Sequence, residues 1–437
     1  MKKHSQIILL GFCICALLLN LNCKKDNPIT PPDNTFALTV DDASCTEVYL
    51  SLKIGAAITS RTVILKRDTI TLFTKTIEAT ETTITDTSLL PGHTYIYTAS
   101  LLNSSTASSS TAWTMDTTCH NIVWDTPVLL GDASSVLNDV AIINDTCIWA
   151  VGEIYSGGSI CNFTKWSRQQ WDTMRISVKL TYTSSQIVTD QDPLKTIYAF
   201  NENDIWVVSN AGGVSHWNGS QWAMLNIPFN QGPGACNKMW GTSSSDMHFV
   251  GNNGRIIRYA GSSWTKIESG TTLPFQDIWG NGGDVLAVAS DKFGLGGKYL
   301  VQLSGSSATQ LSTNIPTAIS FSSVWFVPNR KYYLVGNGIY TKRLLSDSVW
   351  KYDPIANQIV NYQYSVRGTG LNDVIVVCEH GTIAHFNGVS WRIYSYGGQT
   401  SGDRLLSVCI KNNLIIAVGM RYIDGFHDQA LICIGRR

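Results

Sequence analysis

Charge is scarce in this chain, and what there is cancels. Charged residues make up 15% of the 437 positions, with 32 basic side chains against 32 acidic ones. A neutral chain lacks the electrostatic footprint for nucleic acid or for an anionic membrane surface, so no nucleic-acid partner is expected. Catalytic signatures are missing too. The sequence has no P-loop, no G-x-S-x-G, no H-E-x-x-H and no D-x-D-x-D-G calcium loop, which removes the usual sequence grounds for an NTPase, an α/β-hydrolase, a zinc peptidase or an EF-hand. The eleven cysteines show no C-x-x-C spacing, so neither a structural zinc site nor any other metal or cofactor is expected.

Gly, Ser, Thr, Trp and Tyr are abundant, a composition typical of globular all-β proteins. Their arrangement repeats. Residues 240–264 read WGTSSSDMHFVGNNGRIIRYAGSSW, and 200–222 and 368–391 run through the same order of turn, Asp, β-rich run, Gly turn, β-rich run, Gly turn and Trp. Short strands at a period near 40 residues are the signature of a β-propeller. The hydrophobic position that opens each repeat falls at Val140, Ile197, Met239, Ile278, Val324, Val366 and Val408, at intervals of 57, 42, 39, 46, 42 and 42 residues. Seven repeats predict seven blades over residues 119–437. The seventh lacks the Trp-led outer strand, and a spare one stands ahead of the first, so residues 121–130 are expected to close the ring and cover its edges.

Within the repeats, Gly219, Gly254, Gly261, Gly381 and Gly388 sit where hairpin turns need positive φ. The recurring Asp204, Asp246, Asp284 and Asp373 are read as caps of one repeated turn, through side-chain-to-backbone hydrogen bonds. The tryptophans are read as packing between blades. His380 and His385 are five apart, on opposite faces of any strand, and are read as surface or strand histidines with no metal role.

The segment from Trp240 to Gly254 resembles the phrase W-G-S/T-x-x-D-hydrophobic-x-x-V-G-x-x-G of bacterial and photosystem-assembly-factor propeller repeats, with one extra residue before Asp246. Asn218–Trp222 and Asn387–Trp391 keep only the Gly-x-x-Trp part of the sialidase Asp-box. The Ser and Asp are absent, so no enzymatic role carries over from that family.

The N-terminus reads as a targeting segment. Lys2 and Lys3 precede an apolar run, Ile7 to Leu21, that is short for a membrane span. It ends at Cys23 and a polar, Pro-rich stretch, KKDNPITPPDNT. This resembles a bacterial lipoprotein signal, implying a signal peptide over 1–22, lipidation of Cys23 and a tether over 23–35; ordinary secretion and an uncleaved anchor are the alternatives. Residues 36–118 contain seven strand-like runs, which suggest a β-sandwich. LLPGHTYIYTASL resembles the fibronectin type III phrase that turns the chain between sheets, with Pro91, Gly92, Tyr95 and Tyr97 at its fixed positions. That resemblance implies a disulfide between Cys45, at the A–B turn, and Cys119, just past the last strand. The expected fold is therefore all-β, an immunoglobulin-like (fibronectin type III) sandwich followed by a seven-bladed β-propeller. The layout looks like secreted lipoproteins of Bacteroidota-type bacteria, which implies a lipid-anchored monomer of the cell envelope, at the outer membrane.

Function is sought where the repeats differ, because insertions cluster on binding faces. The turn between the second and third strands is long in blade 1 (153–160), blade 7 (421–428) and blade 4 (290–297). Blades 7 and 1 are neighbours in a closed ring. Their loops carry the candidate ligand-binding residues Glu153, Tyr155, Arg421, Tyr422, Asp424, Phe426, His427 and Asp428. Aromatics mixed with charges suit recognition of a glycan or a protein. The leading expectation is a non-enzymatic, surface-anchored binding protein. A propeller glycoside hydrolase or lyase with acids converging from several blades, and an envelope assembly scaffold, are the alternatives.

Overall fold

The computed structural model describes residues 33–181, 187–225, 235–291, 297–313, 315, 319–359 and 362–437. The signal segment, Cys23 and the tether up to residue 32 lie outside the described residues, as do 292–296 of the extended blade 4 turn. By compactness the chain divides into two units. One comprises residues up to Thr39 with Ser51–Ile84 and Ile96–Ser110; the other comprises Val40–Leu50, Thr85–Tyr95 and Thr111–Arg437. No helix among the described residues is long and apolar enough to cross a membrane.

Residues 36–113 form two antiparallel sheets. One pairs Phe36–Ala43, Glu47–Ile54 and Glu81–Thr87, and the other orders Ile70–Thr76, Thr62–Arg67, Thr94–Leu101 and Ala107–Trp113. The Leu90 N–H donates to the Tyr95 hydroxyl at 2.9 Å, so this tyrosine ties the chain back to the segment five residues upstream. The Cys45–Cys119 bond expected from the family likeness is not formed. Both are free thiols. Cys45 is buried and its Sγ lies 3.3 Å from the Asp116 carbonyl oxygen, whereas the exposed Cys119 accepts from the Asn121 N–H.

From residue 133 onward the chain builds seven four- or five-stranded antiparallel sheets in succession, with a two-stranded one, Val178–Thr181 with Ile187–Asp190, between the first and the second. Their inner strands are Ala133–Asn144, Leu194–Asn201, Cys236–Ser243, Phe275–Asn281, Phe321–Val327, Gln363–Gly370 and Asp403–Lys411. We number the sheets as blades 1 to 7 in that order. The second strand of each blade is a nearly unbroken apolar run, as in Asp373–Cys378, which is buried at every position. Such a run fits a strand covered on both faces, and here the covers are the neighbouring blades. Apolar clusters fill each junction between successive blades, and one joins blade 7 to blade 1 through Ile416, Val418, Ile148 and Ala150. Trp171, Trp222, Trp264 and Trp391 each pack into the cluster shared with the preceding blade. The last blade takes its outer edge from upstream of the first: Val123–Trp124 pairs with Gly435 and Arg436, and Val128–Leu130 with Ala430–Ile432.

The hairpin glycines have positive φ. Gly254, at +64°, is the tightest case, because a Cβ there would drive into the carbonyl of Thr271. The recurring aspartates do something other than cap turns. Each reaches across to a polar side chain on the third strand: Asp204 to His216 at 2.8 Å, Asp246 to Arg258 at 2.8 Å, Asp284 to Gln302 at 3.4 Å and Asp373 to His385 at 3.2 Å. The partner lies opposite the residue two positions after the Asp, so these are diagonal cross-strand pairs. His385 is accordingly no surface histidine. It is fully buried, with its ring also meeting Thr118 and His120.

Candidate central channel and its rim

On each inner strand the hydrophobic marker residue faces a junction between blades, so the residue before it points the other way, toward the axis. Those seven residues are Asp139, Thr196, Lys238, Asp277, Ser323, Ser365 and Ser407, and all are polar. Six are buried. Neighbouring inner strands are not joined by a backbone ladder, and side chains bridge them instead. Asn138 Nδ2 donates to the Leu194 carbonyl of blade 2, while Asp139 Oδ2 accepts from the Ile197 N–H of the same strand. Ser322 and Ser323 make the same double strap from blade 5 to blade 6, to the Gln363 carbonyl and from the Val366 N–H.

Two ion-pair centres span the channel. Asp139 accepts from Lys238 Nζ at 2.7 Å, Ser407 Oγ at 2.7 Å and Thr196 Oγ1 at 2.8 Å, so it ties together blades 1, 2, 3 and 7. Burial works to raise this carboxyl, but Lys238 and the two hydroxyls hold it below the ordinary carboxylate value. Asp277 is held in a two-point grip by Arg367, at 2.7 and 2.8 Å, and accepts from Ser323 Oγ at 2.5 Å. The Arg367 guanidinium also lies 4.8 Å from the Trp279 ring centroid. Burial works to lower Arg367, but Asp277 holds it above the ordinary arginine value.

At one end of the channel lies a cavity of ≈ 300 Å³, lined by Asn138, Lys195, Asn237, Lys238, Gln276, Ser322, Tyr364 and Arg367 among others. A narrower space of ≈ 180 Å³ occupies the other end, around Ala141, Tyr198, Trp279 and Cys409. Lys195 stands at the position that straps the next blade in blades 1, 3 and 5, but it makes no strap. Its ammonium has no hydrogen-bond or ion-pair partner among the described residues. Burial lowers its pKa, Lys238 lowers it further, and Asp139 offsets part of this.

The cavity opens on the face that carries the loops singled out in the sequence, since Ala133, at the start of its inner strand, pairs with Tyr155 beside the blade 1 turn. The blade 7 loop meets blade 1 there: Ser134 Oγ donates to the Gly425 carbonyl, and Ser135 N–H to that of Asp428. The eight candidate residues play different parts. Arg421 grips the buried Asp403 at 2.7 and 2.9 Å. Asp428 is buried and accepts from the N–H groups of Ile423, Asp424 and Gly425, fixing the loop's shape. Tyr155 donates to Glu153 at 2.5 Å. Asp424 and His427 form an exposed pair at 2.7 Å; the His427 ring is the main cause that holds Asp424 down at about 2, and Asp424 raises His427. Tyr422 and Phe426 present open rings, 44% and 77% exposed, with Ile423 between them.

This apolar knob is linked to the channel mouth. The Arg404 guanidinium lies 5.3 Å from the Tyr422 ring centroid and pairs with Glu379 at 3.6 Å. Glu379 in turn faces Tyr364 in the cavity wall, whose hydroxyl is pushed up to about 12, chiefly by burial. The channel residues Asp139, Lys195, Lys238, Asp277 and Arg367 escape a loop-centred reading. Their signal is the polar residue that precedes each hydrophobic marker.

No family model matches the chain. No curated protein matches it. Solved structures do. The chain is similar to YCF48 bound to D1 peptide, at 12% identity and TM-score 0.53 over 72% of this chain and 97% of that one. It is similar to YCF48 from Cyanidioschyzon merolae, at 11% identity and TM-score 0.50 over 71% and 99%. The WD40 beta propeller domain of Doa1 matches at 12% identity and TM-score 0.50 over 72% and 97%. At such identities the likeness is one of fold, and the fold is an all-β propeller.

Proposed function

We propose that this is a non-catalytic binding protein whose seven sheets form a closed seven-bladed propeller, and that it recognises a peptide or protein segment on the face where the channel opens. The observation that carries this reading is the state of the channel carboxylates. A glycoside hydrolase needs one acid kept protonated to donate to the leaving group. Asp139 is held ionised by Lys238, and Asp277 is gripped at two points by Arg367. Both serve as struts between blades, each held by a basic side chain. Beside the mouth, Tyr422, Ile423 and Phe426 offer the exposed apolar anchors on which recognition surfaces depend. A peptide is favoured over a glycan because a structure of the same fold is named for a bound peptide.

In this reading lipidated Cys23 holds the chain at the envelope, and residues 36–118 act as a fibronectin type III spacer. A phage-displayed random peptide library panned against the full chain tests the main claim. Enriched peptides should lose binding to the double variant Tyr422→Ala, Phe426→Ala. Absence of enrichment, or binding indifferent to that variant, refutes it. Glycan-array binding that depends on the same two rings would give the face to a sugar instead. Mass spectrometry of membrane fractions should find acyl chains on the N-terminal peptide, lost in Cys23→Ala.

A further inference from the structure

The geometry points to the channel mouth as a carboxylate-binding site, in which Lys195 supplies the counter-charge for a single anionic group that enters from the rim. The inference rests on the reading of this face as a binding surface and names what the partner presents to it.

The first support is a charge count along the channel walls. The channel walls carry three cations, Lys195, Lys238 and Arg367, against two carboxylates, Asp139 and Asp277. Lys238 and Arg367 are matched one to one with those carboxylates at 2.7 Å. One positive charge remains, and it belongs to Lys195. Lys195 is half-buried, and a charge partly withdrawn from water without a partner is disfavoured. One monoanion would balance the channel.

The second support is donor accounting. Asn138 Nδ2, Asn237 Nδ2, Gln276 Nε2 and Ser322 Oγ all line the cavity, and all donate to backbone carbonyls. The three N–H donors of Lys195 are unengaged among the described residues, so an arriving group would meet an acceptor's partner there. Blades 1, 3 and 5 use the equivalent position to strap the next blade. Blade 2 gives up its strap for a free ammonium.

The third is size. A cavity of ≈ 300 Å³ admits one side chain or chain end and no folded element. A carboxylate carries one negative charge and two acceptor oxygens, which suits a single lysine beside neutral walls. A doubly charged phosphate would leave the channel with excess negative charge, close to Glu379 at the rim.

Titration of the full chain labelled with ¹³Cε-lysine tests this, with the Lys195 resonance assigned by its loss in Lys195→Met. The probes are acetate, the blocked dipeptide N-acetyl-Gly-Ala with a free C-terminal carboxylate, and the amide of the same dipeptide. Either acid should shift the Lys195 resonance saturably while the amide does not. Lys195→Met should weaken the acid at least about tenfold, and Lys195→Arg should keep most of the affinity. Response to acetate alone assigns the site to small free acids, and response to the dipeptide acid admits a chain terminus. Lys195→Met should fold normally, with an unchanged or raised melting temperature, because it removes a charge that has no partner. No saturable shift up to about 100 mM acid, an amide that binds as well as the acid, or acid binding unchanged in Lys195→Met overturns the inference. Library peptides that need Phe426 but ignore Lys195 would overturn it while leaving the binding reading intact.

Discussion

Arg367 is the most heavily committed cation in the channel, and its removal gives the sharpest stability test. It donates to Asp277 through two nitrogens at 2.7 and 2.8 Å and to the carbonyls of Val324 and Val366, and it stacks on Trp279. It therefore joins blades 4, 5 and 6 from the inside. Arg367→Met keeps the bulk but strands the Asp277 carboxylate, which is 2% exposed. Breaking a buried pair from one side costs about 3–5 kcal/mol, because the remaining charge is uncompensated. For a unit of this size that is a fall in melting temperature of roughly 4–7 °C. Urea titration followed by tryptophan fluorescence reads it, with Trp279 as a local reporter. Asp277→Asn can still accept from Ser323 and from the Val324 N–H. The double variant should thus be more stable than Arg367→Met alone, with a coupling of about 1–3 kcal/mol. Additive costs, or a single-variant loss below about 1 kcal/mol, would refute the assignment of the pair as a strut.

Acid should unfold the propeller through its held carboxylates. Asp139, Asp373 and Asp403 all have folded pKa values below the ordinary value. Their stabilisation is therefore complete above the unfolded carboxyl pKa near 4 and is lost as pH falls through the lower folded values. Asp403→Asn should flatten the melting-temperature profile below about pH 4; an unchanged slope would count against Asp403. Tyr422→Ala and Phe426→Ala should leave the urea midpoint almost unmoved, within about 0.5 kcal/mol, since both rings are exposed. Thiol reagent should modify the exposed Cys119 quickly and Cys45 only on unfolding, because burial pushes the Cys45 thiol up to about 11. Reductant should not shift the melting curve; a shift would reveal a disulfide.

Much of the architecture could be read from spacing alone. The hydrophobic markers from Val140 to Val408 all fall on inner strands, because packing between blades demands an apolar residue there in every copy. The aspartates were visible as a repeat, but their role was not. A turn cap is a local device, whereas Asp204, Asp246 and Asp373 find partners at His216, Arg258 and His385, each 12 residues on. The shared offset of these three is itself a sequence signal, set by the short turn between the second and third strands, and it lengthens to 18 for Asp284 and Gln302, where that turn is extended. The channel was least legible. Asp139 meets Lys238 at 99 residues' separation and Asp277 meets Arg367 at 90, so no local window holds both partners. The loops drew attention because they vary, although two of their charged residues, Arg421 and Asp428, prove to be architectural.

The edge of the last blade has a consequence for how the chain is made. Trp124 pairs with Gly435, 311 residues later. Closing a loop of that length costs roughly 5 kcal/mol of chain entropy, and the contact cannot form until the final strand has been synthesised. At about 5–20 residues per second, the upstream edge strand then waits on the order of 15–60 seconds for its partner. During that interval Val123, Trp124 and the Val128–Leu130 run are an open strand edge, the kind of surface that pairs with the wrong chain. The joint that completes the molecule is thus also its longest period of exposure. Shortening the wait, by a circular permutant that begins at the blade 1 inner strand and places residues 121–130 after Arg437, should raise the yield of folded protein without altering the finished structure.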